Sequence, residues 1–458
     1  MADLNAFSTG LKPRLSADVK IIGKDEIPKA WDEYCAAAPY AMVYPRTEED
    51  VAETVKYCRE KGLKCLAQSG GHSWRIKNSG DIDIIISLRE LNTVTVAEDL
   101  KSATMGGGTL VGELINATSA KGVDVATGVC NSVGAVGSLL HGGIGRNIGR
   151  LGLGIDNLLS VNIVDATGKL HKNVTESCVE DLWWAIRGAG AALGIVTQAT
   201  VKTHPQVNNG MSWAGVVFFT DDSKLEKLIQ VIAETPLDEN MAVGFLYMCA
   251  PPTNFQPAIM VAPWYYGTEE EGRKAWKNLL DLEPEIVQMG MMPSDKLNDC
   301  NDPFGDKGQR KPGIGMGIEK LDPATWRQTW DMYVKFVKEN PEAGRSIVLV
   351  EAYPKTKVLS IAPDATLYAN RDIKFEVIVV PWYEKETFDI KAISWANSVR
   401  ELWSQKCGHP DGRNRVYPAF AGLNEPLESL YGKPERVEKL KAVKAKYDPD
   451  NYWNALLG

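Results

Sequence analysis

Two short glycine-rich turns constrain this chain more than any other feature. Gln68-Ser-Gly-Gly-His-Ser-Trp74 and Gly128-Val-Cys-Asn-Ser-Val-Gly134 lie about 60 residues apart, and each carries one nucleophilic side chain, His72 and Cys130. A Gly-Gly pair lets backbone amides approach an anion, because no Cβ intervenes and φ > 0 is accessible. An imidazole and a thiol supply two atoms able to bond an electrophilic cofactor. Each also has a plainer meaning taken singly: His72 as a loop residue bonding backbone, Cys130 as a small buried apolar side chain.

The surroundings of the turns alternate strands and helices. Residues 41–44 read as a strand, Thr47 and Asp50 open a helix as a capping box, and Gly62 ends it. A strand at 63–67 leads into the first turn, with further strands at 82–88, 93–96 and 102–105 and an amphipathic helix at 110–121. A hairpin through Thr167-Gly168 joins 157–164 to 169–172. This rhythm predicts an α/β or α+β nucleotide-type unit up to about residue 205. Gly188-Ala-Gly-Ala-Ala-Leu-Gly194 is one residue too long for a dinucleotide fingerprint, so it reads as a close-packed turn and not a Rossmann site. The glycines at 133–145 are too many for a helix interior, each costing up to about 1 kcal/mol relative to alanine. They predict backbone pressed against a flat or phosphorylated ligand.

A linker at 204–210 precedes a second style of segment. Strands are expected at 212–219, 243–248, 259–264, 347–352 and 373–381, with helices at 223–234, 269–280, 323–339 and 390–405. Residues 301–315 read as a loop and 433–447 as a final basic helix. A mixed or antiparallel sheet with helices on one face follows.

Length and charge narrow the function. A chain of 458 residues holds two or three packed domains, and 44% hydrophobic with 24% charged residues is an ordinary globular balance. A net charge of -8 disfavours nucleic acid and anionic membranes as partners. No run is long enough to span a bilayer, and residues 1–22 lack an apolar leader, so a cytoplasmic location is expected. Eight scattered cysteines form no framework, and five histidines show no ligand spacing, so reduced thiols and no metal are expected.

Several segments resemble the berberine bridge enzyme-like family of vanillyl-alcohol-oxidase-type FAD proteins. They are Ser69-Gly-Gly-His-Ser73, Gly128-Val-Cys-Asn-Ser-Val-Gly134, Leu153-Gly-Ile-Asp-Asn157, Asp181-Leu-Trp-Trp-Ala-Ile-Arg-Gly188, Leu193-Gly-Ile-Val-Thr197 and Tyr447-Asp-Pro-Asp-Asn-Tyr-Trp453. The resemblance implies an α+β fold. A two-part FAD-binding domain of the PCMH type, 1–205 and 412–458, would flank a substrate domain at 206–411, an antiparallel sheet covered by helices. It further implies FAD held bicovalently through His72 and Cys130. Ser69, Gly70, Gly71 and Ser73 would meet the pyrophosphate, and Val133, Gly134, Gly137, Gly142, Gly143, Ile195, Val196 and Tyr417 would line the rest.

The implied activity is an oxidase: hydride passes from a small aromatic, phenolic or alcohol-bearing specialised metabolite to flavin, with oxygen as acceptor. An oligosaccharide substrate, a redox-neutral cyclase that keeps FAD, and a non-catalytic flavin-storing protein are the alternatives. Many relatives carry Tyr-x-Asn-Tyr near the C-terminus. This chain has Tyr417-Pro-Ala419-Phe420, and neither Ala419 nor Phe420 can move a proton. Two candidates for the base remain, Tyr417 and Glu376, the latter a carboxylate in an apolar strand with an expected raised pKa. Glu376 has the alternative of facing solvent from an edge strand. Tyr353, Tyr368 and Arg371 are candidates for the pocket wall.

Overall fold

The computed structural model describes residues 4–76, 81–422 and 424–453; the outermost residues of the two expected flavin-binding segments, 1–3 and 454–458, lie outside these. Among the described residues eighteen strands form four sheets. The chain begins with β1 (Lys20–Gly23), β2 (Ala41–Tyr44), β3 (Cys65–Gln68) and β4 (Ile84–Ser87), ordered β1-β2-β4-β3. β4 runs parallel to both β2 and β3, so the chain crosses over between them through the helix Glu48–Glu60. That helix starts where the capping box predicts, with Thr47 accepting from Asp50 N and the Asp50 carboxylate accepting from Thr47 N.

Next come β5 (Val94–Val96), β6 (Ser102–Gly106), β7 (Val123–Asp124), β8 (Leu158–Val164), β9 (Leu170–Val174), β10 (Ile195–Lys202) and β11 (His204–Pro205). β5-β6-β10-β8-β9 is an antiparallel sheet, and β7 pairs with β11. The third segment supplies β12 (Met211–Phe219), β13 (Met241–Met248), β14 (Ala258–Tyr265), β15 (Ile286–Pro293), β16 (Ile314–Ile318), β17 (Ile347–Ala352) and β18 (Phe375–Val380). They form one seven-stranded antiparallel sheet, ordered β15-β12-β14-β13-β17-β18-β16.

Alternation assigns the two faces of this large sheet. Val217, Phe245, Tyr247, Val350 and Val377 point to the helices Leu225–Glu234, Pro323–Glu339 and Asp389–Cys407, where Leu228, Trp326 and Trp403 complete the core. Phe218, Leu246, Met260 and Ile378 point the other way and pack on Trp31, with Trp74 and Phe420 partly buried beside them. Both faces are therefore covered, and the second is where the large sheet meets the two glycine turns. The last helix, Pro434–Tyr447, returns to the first part, where Leu430, Val437 and Leu440 join a core with Val136, Ile163 and Trp184.

Four expectations are corrected. Residues 135–140 are helical despite Gly137, because Ala135, Val136, Leu139 and Leu140 bury one face and offset the glycine. The expected helix at 269–280 divides into Glu269–Ala275 and Lys277–Leu280 around Trp276. The expected loop at 301–315 holds a 3-10 helix, Asp299–Gly305, and the start of β16. β15, a half-exposed edge strand, was not anticipated. No described helix is long and apolar enough to cross a membrane.

Candidate active site

The first glycine turn leaves the end of β3, and the second precedes the helix Ala135–Leu140. They press together backbone to backbone: a Cβ on Gly70 would lie 2.4 Å from Ser132 O and 2.6 Å from Gly134 N. The second turn is sewn to the chain after β6 by Val111 N to Val133 O and Ala135 N to Thr109 O, at 2.9 and 2.8 Å. The packing brings the two nucleophiles to one hydroxyl. Ser132 Oγ lies 3.0 Å from His72 Nε2 and 3.5 Å from Cys130 Sγ. The imidazole stacks on Trp31 at 5.2 Å between centroids. Burial, helped by the Lys307 and Lys311 charges, pushes the His72 pKa down to about 3, so the ring is neutral and keeps a lone pair. Gly70→Ala should drive the turns apart, giving a lower melting temperature and less bound yellow chromophore per chain than wild type.

A strap from the middle of the chain fastens both turns. Asn301 Nδ2 donates to Val129 O at 2.7 Å, and Asn298 Nδ2 to Gly128 O at 3.3 Å. Asn131 donates to the carboxylates of Asp299 and Asp302. At the other turn, Trp74 Nε1 donates to Lys311 O, and Trp31, packed beside the turn, donates its Nε1–H to Phe304 O, both at 2.7 Å. The fully buried Lys311 ammonium donates to the carbonyls of Trp31, Asp306 and Gly308. Its desolvation lowers the pKa to about 8.

The remaining residues expected at a cofactor are spread along one strip. Ser69 Oγ is buried with no partner among the described residues, and Ser73 is exposed. Gly71 takes a left-handed φ of 77°. Gly137 opens from its helix onto free space, with nothing within 4 Å of a Cβ placed there. Gly142 adopts φ 133°, and a Cβ on it would come 3.0 Å from the Tyr368 ring and 3.1 Å from Tyr417. Gly143 packs on Gly154, while Val133 lies half-buried between the turns. Ile195 and Val196 spend their side chains on the cores beneath, so only their backbone is left to face a ligand.

Beyond the strip, Glu376 sits on β18 between β17 and β16 and is 1% exposed. The solvent-facing alternative is therefore wrong: β18 is an inner strand. Neither carboxylate oxygen has a hydrogen-bond partner among the described residues, and burial pushes the pKa up to about 8 against the opposing pull of Lys355. Directly across in register is Glu351, on the same face, also raised by burial. Glu351 lines a cleft of about 440 Å³ with Arg146, Trp264, Met260, Leu246 and Tyr353. The Arg146 guanidinium lies 4.4 Å over the Trp264 ring and bonds Asn298.

Tyr417 is buried, accepts from Ile144 N at 3.4 Å, and meets Tyr368 edge-on at 6.3 Å. Burial raises the pKa of both phenols. Phe420 packs against the Tyr417 and Trp74 rings, filling space with an apolar side chain. Arg371 is corrected from pocket wall to strut, because its guanidinium is held by both Asp156 oxygens at 2.7 and 2.8 Å and by Thr366. Glu351 and Ser132 were missed by sequence reasoning. Glu351 carries the signal that singled out Glu376, a lone carboxylate in an apolar strand, and Ser132 stands two residues from Cys130.

Open space at Gly137, an unpartnered buried Ser69 hydroxyl and two turns in backbone contact are what a flat, phosphorylated cofactor requires, and FAD fits them. The FAD binding domain family matches residues 39–173. FAD-linked oxidoreductase fogF of Aspergillus ruber is 30% identical over 446 residues, covering 93% of this chain and 88% of its own. The chain belongs to the FAD-linked oxidoreductases. A second relative of this oxidoreductase, FAD-linked oxidoreductase hasG of Aspergillus fumigatus, is 29% identical with 92% of each chain covered. Two solved structures share the fold of the oxidoreductase. Physcomitrella patens BBE-like 1 superposes with TM-score 0.83 at 19% identity, covering 98% of this chain and 97% of its own. The xylooligosaccharide oxidase from Myceliophthora thermophila does so with TM-score 0.81 at 20% identity, covering 99% and 98%. Among the described residues no cluster of three or more His, Cys, Asp or Glu is placed to hold a metal ion.

Proposed function

We propose that this FAD-linked oxidoreductase is an oxidase of a small aromatic, phenolic or alcohol-bearing metabolite, with its flavin held through both His72 and Cys130. The observation that carries the double attachment is the convergence of imidazole and sulfur on one hydroxyl, from turns 58 residues apart in sequence (72 to 130). When bound, the flavin supplies the acceptor for a hydride and hands the electrons to oxygen. Residues 1–205 and 412–458 hold it, and 206–411 carry the substrate. Ser69 to Ser73 and Gly134 offer backbone and hydroxyl donors to its phosphates, while Gly137, Gly142, Gly143 and the backbone of Ile195 and Val196 give it a smooth wall.

The cleft beside the large sheet supports the substrate class. Its lining is mostly aromatic and aliphatic with two charged groups, Glu351 and Arg146, a mixture that suits a small, largely apolar molecule carrying a hydroxyl. Glu376 removes the substrate proton: it is the buried carboxylate whose pKa of about 8 matches general-base work near neutrality. Tyr417 orients the substrate hydroxyl, and its own raised pKa argues against its acting as the base. Phe420 and Trp74 exclude water from the same end.

Two measurements test this reading. Intact mass of the denatured chain should show one FAD added. His72→Ala and Cys130→Ala should each leave one bond, and the double variant should release all flavin into acid. Anaerobic mixing with substrate should bleach the flavin, and the product should weigh two hydrogens less than the substrate. A product isomeric with the substrate would replace the oxidase with a redox-neutral cyclase.

A further inference from the structure

We propose that Ser132 is a positioning residue for flavin attachment: its hydroxyl accepts the Nε2–H of His72 and donates its own proton to Cys130 Sγ, preparing both nucleophiles at once. The inference rests on the bicovalent reading above. Ser132 Oγ is 3.0 Å from His72 Nε2 and 3.5 Å from Cys130 Sγ, so a single side chain contacts both. A hydroxyl has one proton to give and two lone pairs to receive with. If Ser132 receives the imidazole proton, its own proton is free for the sulfur. His72 is then fixed in the tautomer whose Nδ1 carries a lone pair, and the developing thiolate gains a donor. The reverse arrangement would spend the lone pair of Nε2 on Ser132 and leave a proton on Nδ1, disarming both ring nitrogens.

The surroundings hold the hydroxyl where this chain of bonds needs it. A Cβ on Gly305 would sit 2.7 Å from Ser132 Oγ, and a Cβ on Gly70 would meet the Ser132 carbonyl, so the serine is enclosed by strap and turn. Asn131, its neighbour, is tied to Asp299 and Asp302. Trp31 stacks on the imidazole. Lys307 and Lys311 keep positive charge nearby, which opposes protonation of the ring. At His72 the new bond forms at Nδ1, the ring loses its Nε2 proton through Ser132, and the flavin loses one hydrogen; at Cys130 the new bond replaces the thiol hydrogen and one flavin hydrogen. The two electrons and two protons lost in each attachment are taken up by one molecule of oxygen as hydrogen peroxide.

Thr and Val have the same shape and differ in the hydroxyl, so S132T and S132V isolate it from packing. Wild type and both variants, purified as expressed, are digested, and the fraction of His72 and Cys130 peptides carrying flavin mass is measured. Total flavin per native chain is read from absorbance. Wild type and S132T should carry both links. S132V should keep native flavin content but lose at least one link by tenfold or more, releasing FAD in acid in proportion. Equal linkage in S132T and S132V overturns the role of Ser132 alone. Absence of flavin from both wild-type peptides overturns the bicovalent reading, and this inference with it.

Discussion

Glu376→Gln should lower the rate of flavin reduction by substrate about 10²- to 10⁴-fold while leaving flavin content unchanged, as expected for loss of a general base. Stopped-flow bleaching under anaerobic conditions reads this directly; a variant within threefold of wild type would remove Glu376 from the mechanism. The wild-type rate should rise with pH through about 8, since the carboxylate must lose its proton before it can accept another. Burial pushes that pKa up, and two neighbours adjust it: Lys355 pulls it down and Glu351 pushes it further up. Glu351→Gln should therefore move the rising limb to lower pH without abolishing turnover. Stability should follow the opposite course. A carboxyl whose pKa is raised on folding stabilises the fold fully below its unfolded value near 4.5. That contribution is lost as pH climbs through about 8. The melting temperature of Glu376→Gln relative to wild type should accordingly increase from pH 5 to pH 9.

The second large effect concerns stability alone. Asp156 and Arg371 are 7% and 4% exposed, joined by two short bonds, and they tie the 3-10 turn Gly154–Asn157 to the segment leading into β18. Asp156→Ala leaves a guanidinium buried without its counter-charge, which should reduce the unfolding free energy by about 3–5 kcal/mol in urea titration. Replacing both partners by apolar residues of similar size, Asp156→Leu with Arg371→Met, should recover most of that loss. If the single and double variants are equally unstable, the damage comes from packing and not from the stranded charge.

The legible parts of this fold were those where local chemistry and global burial agree. The Thr47 capping box and the run 347–352 both declare their elements, and the structure places a helix and β17 there. Illegible elements are those where a glycine answers to a distant neighbour. The start of β16, Ile314 and Gly315, reads as the end of a loop rich in Gly, Pro and charge, yet a Cβ at Gly315 or Gly317 would come within 2.8 Å of Phe420 or 2.5 Å of Ile373. The strand needs its glycines for residues 56 and more positions away, or directly behind it, and no local window shows that. The helix at 135–140 escapes a local reading for a different reason: Gly137 faces open space, and burial of Ala135, Val136, Leu139 and Leu140 outweighs its weak helix propensity. At the site, the two turns announce their nucleophiles, but the strap 298–311 and the register of Glu351 with Glu376 are properties of the assembled sheet.

The return of the chain's last segment to its first has a consequence for truncation. Trp453 is buried with Phe7, Val43 and Val55, and Leu440 with Val111 and Ile163. The two interiors of the opening 200 residues are therefore completed by side chains between 430 and 453, so removing this last segment would open both of them together.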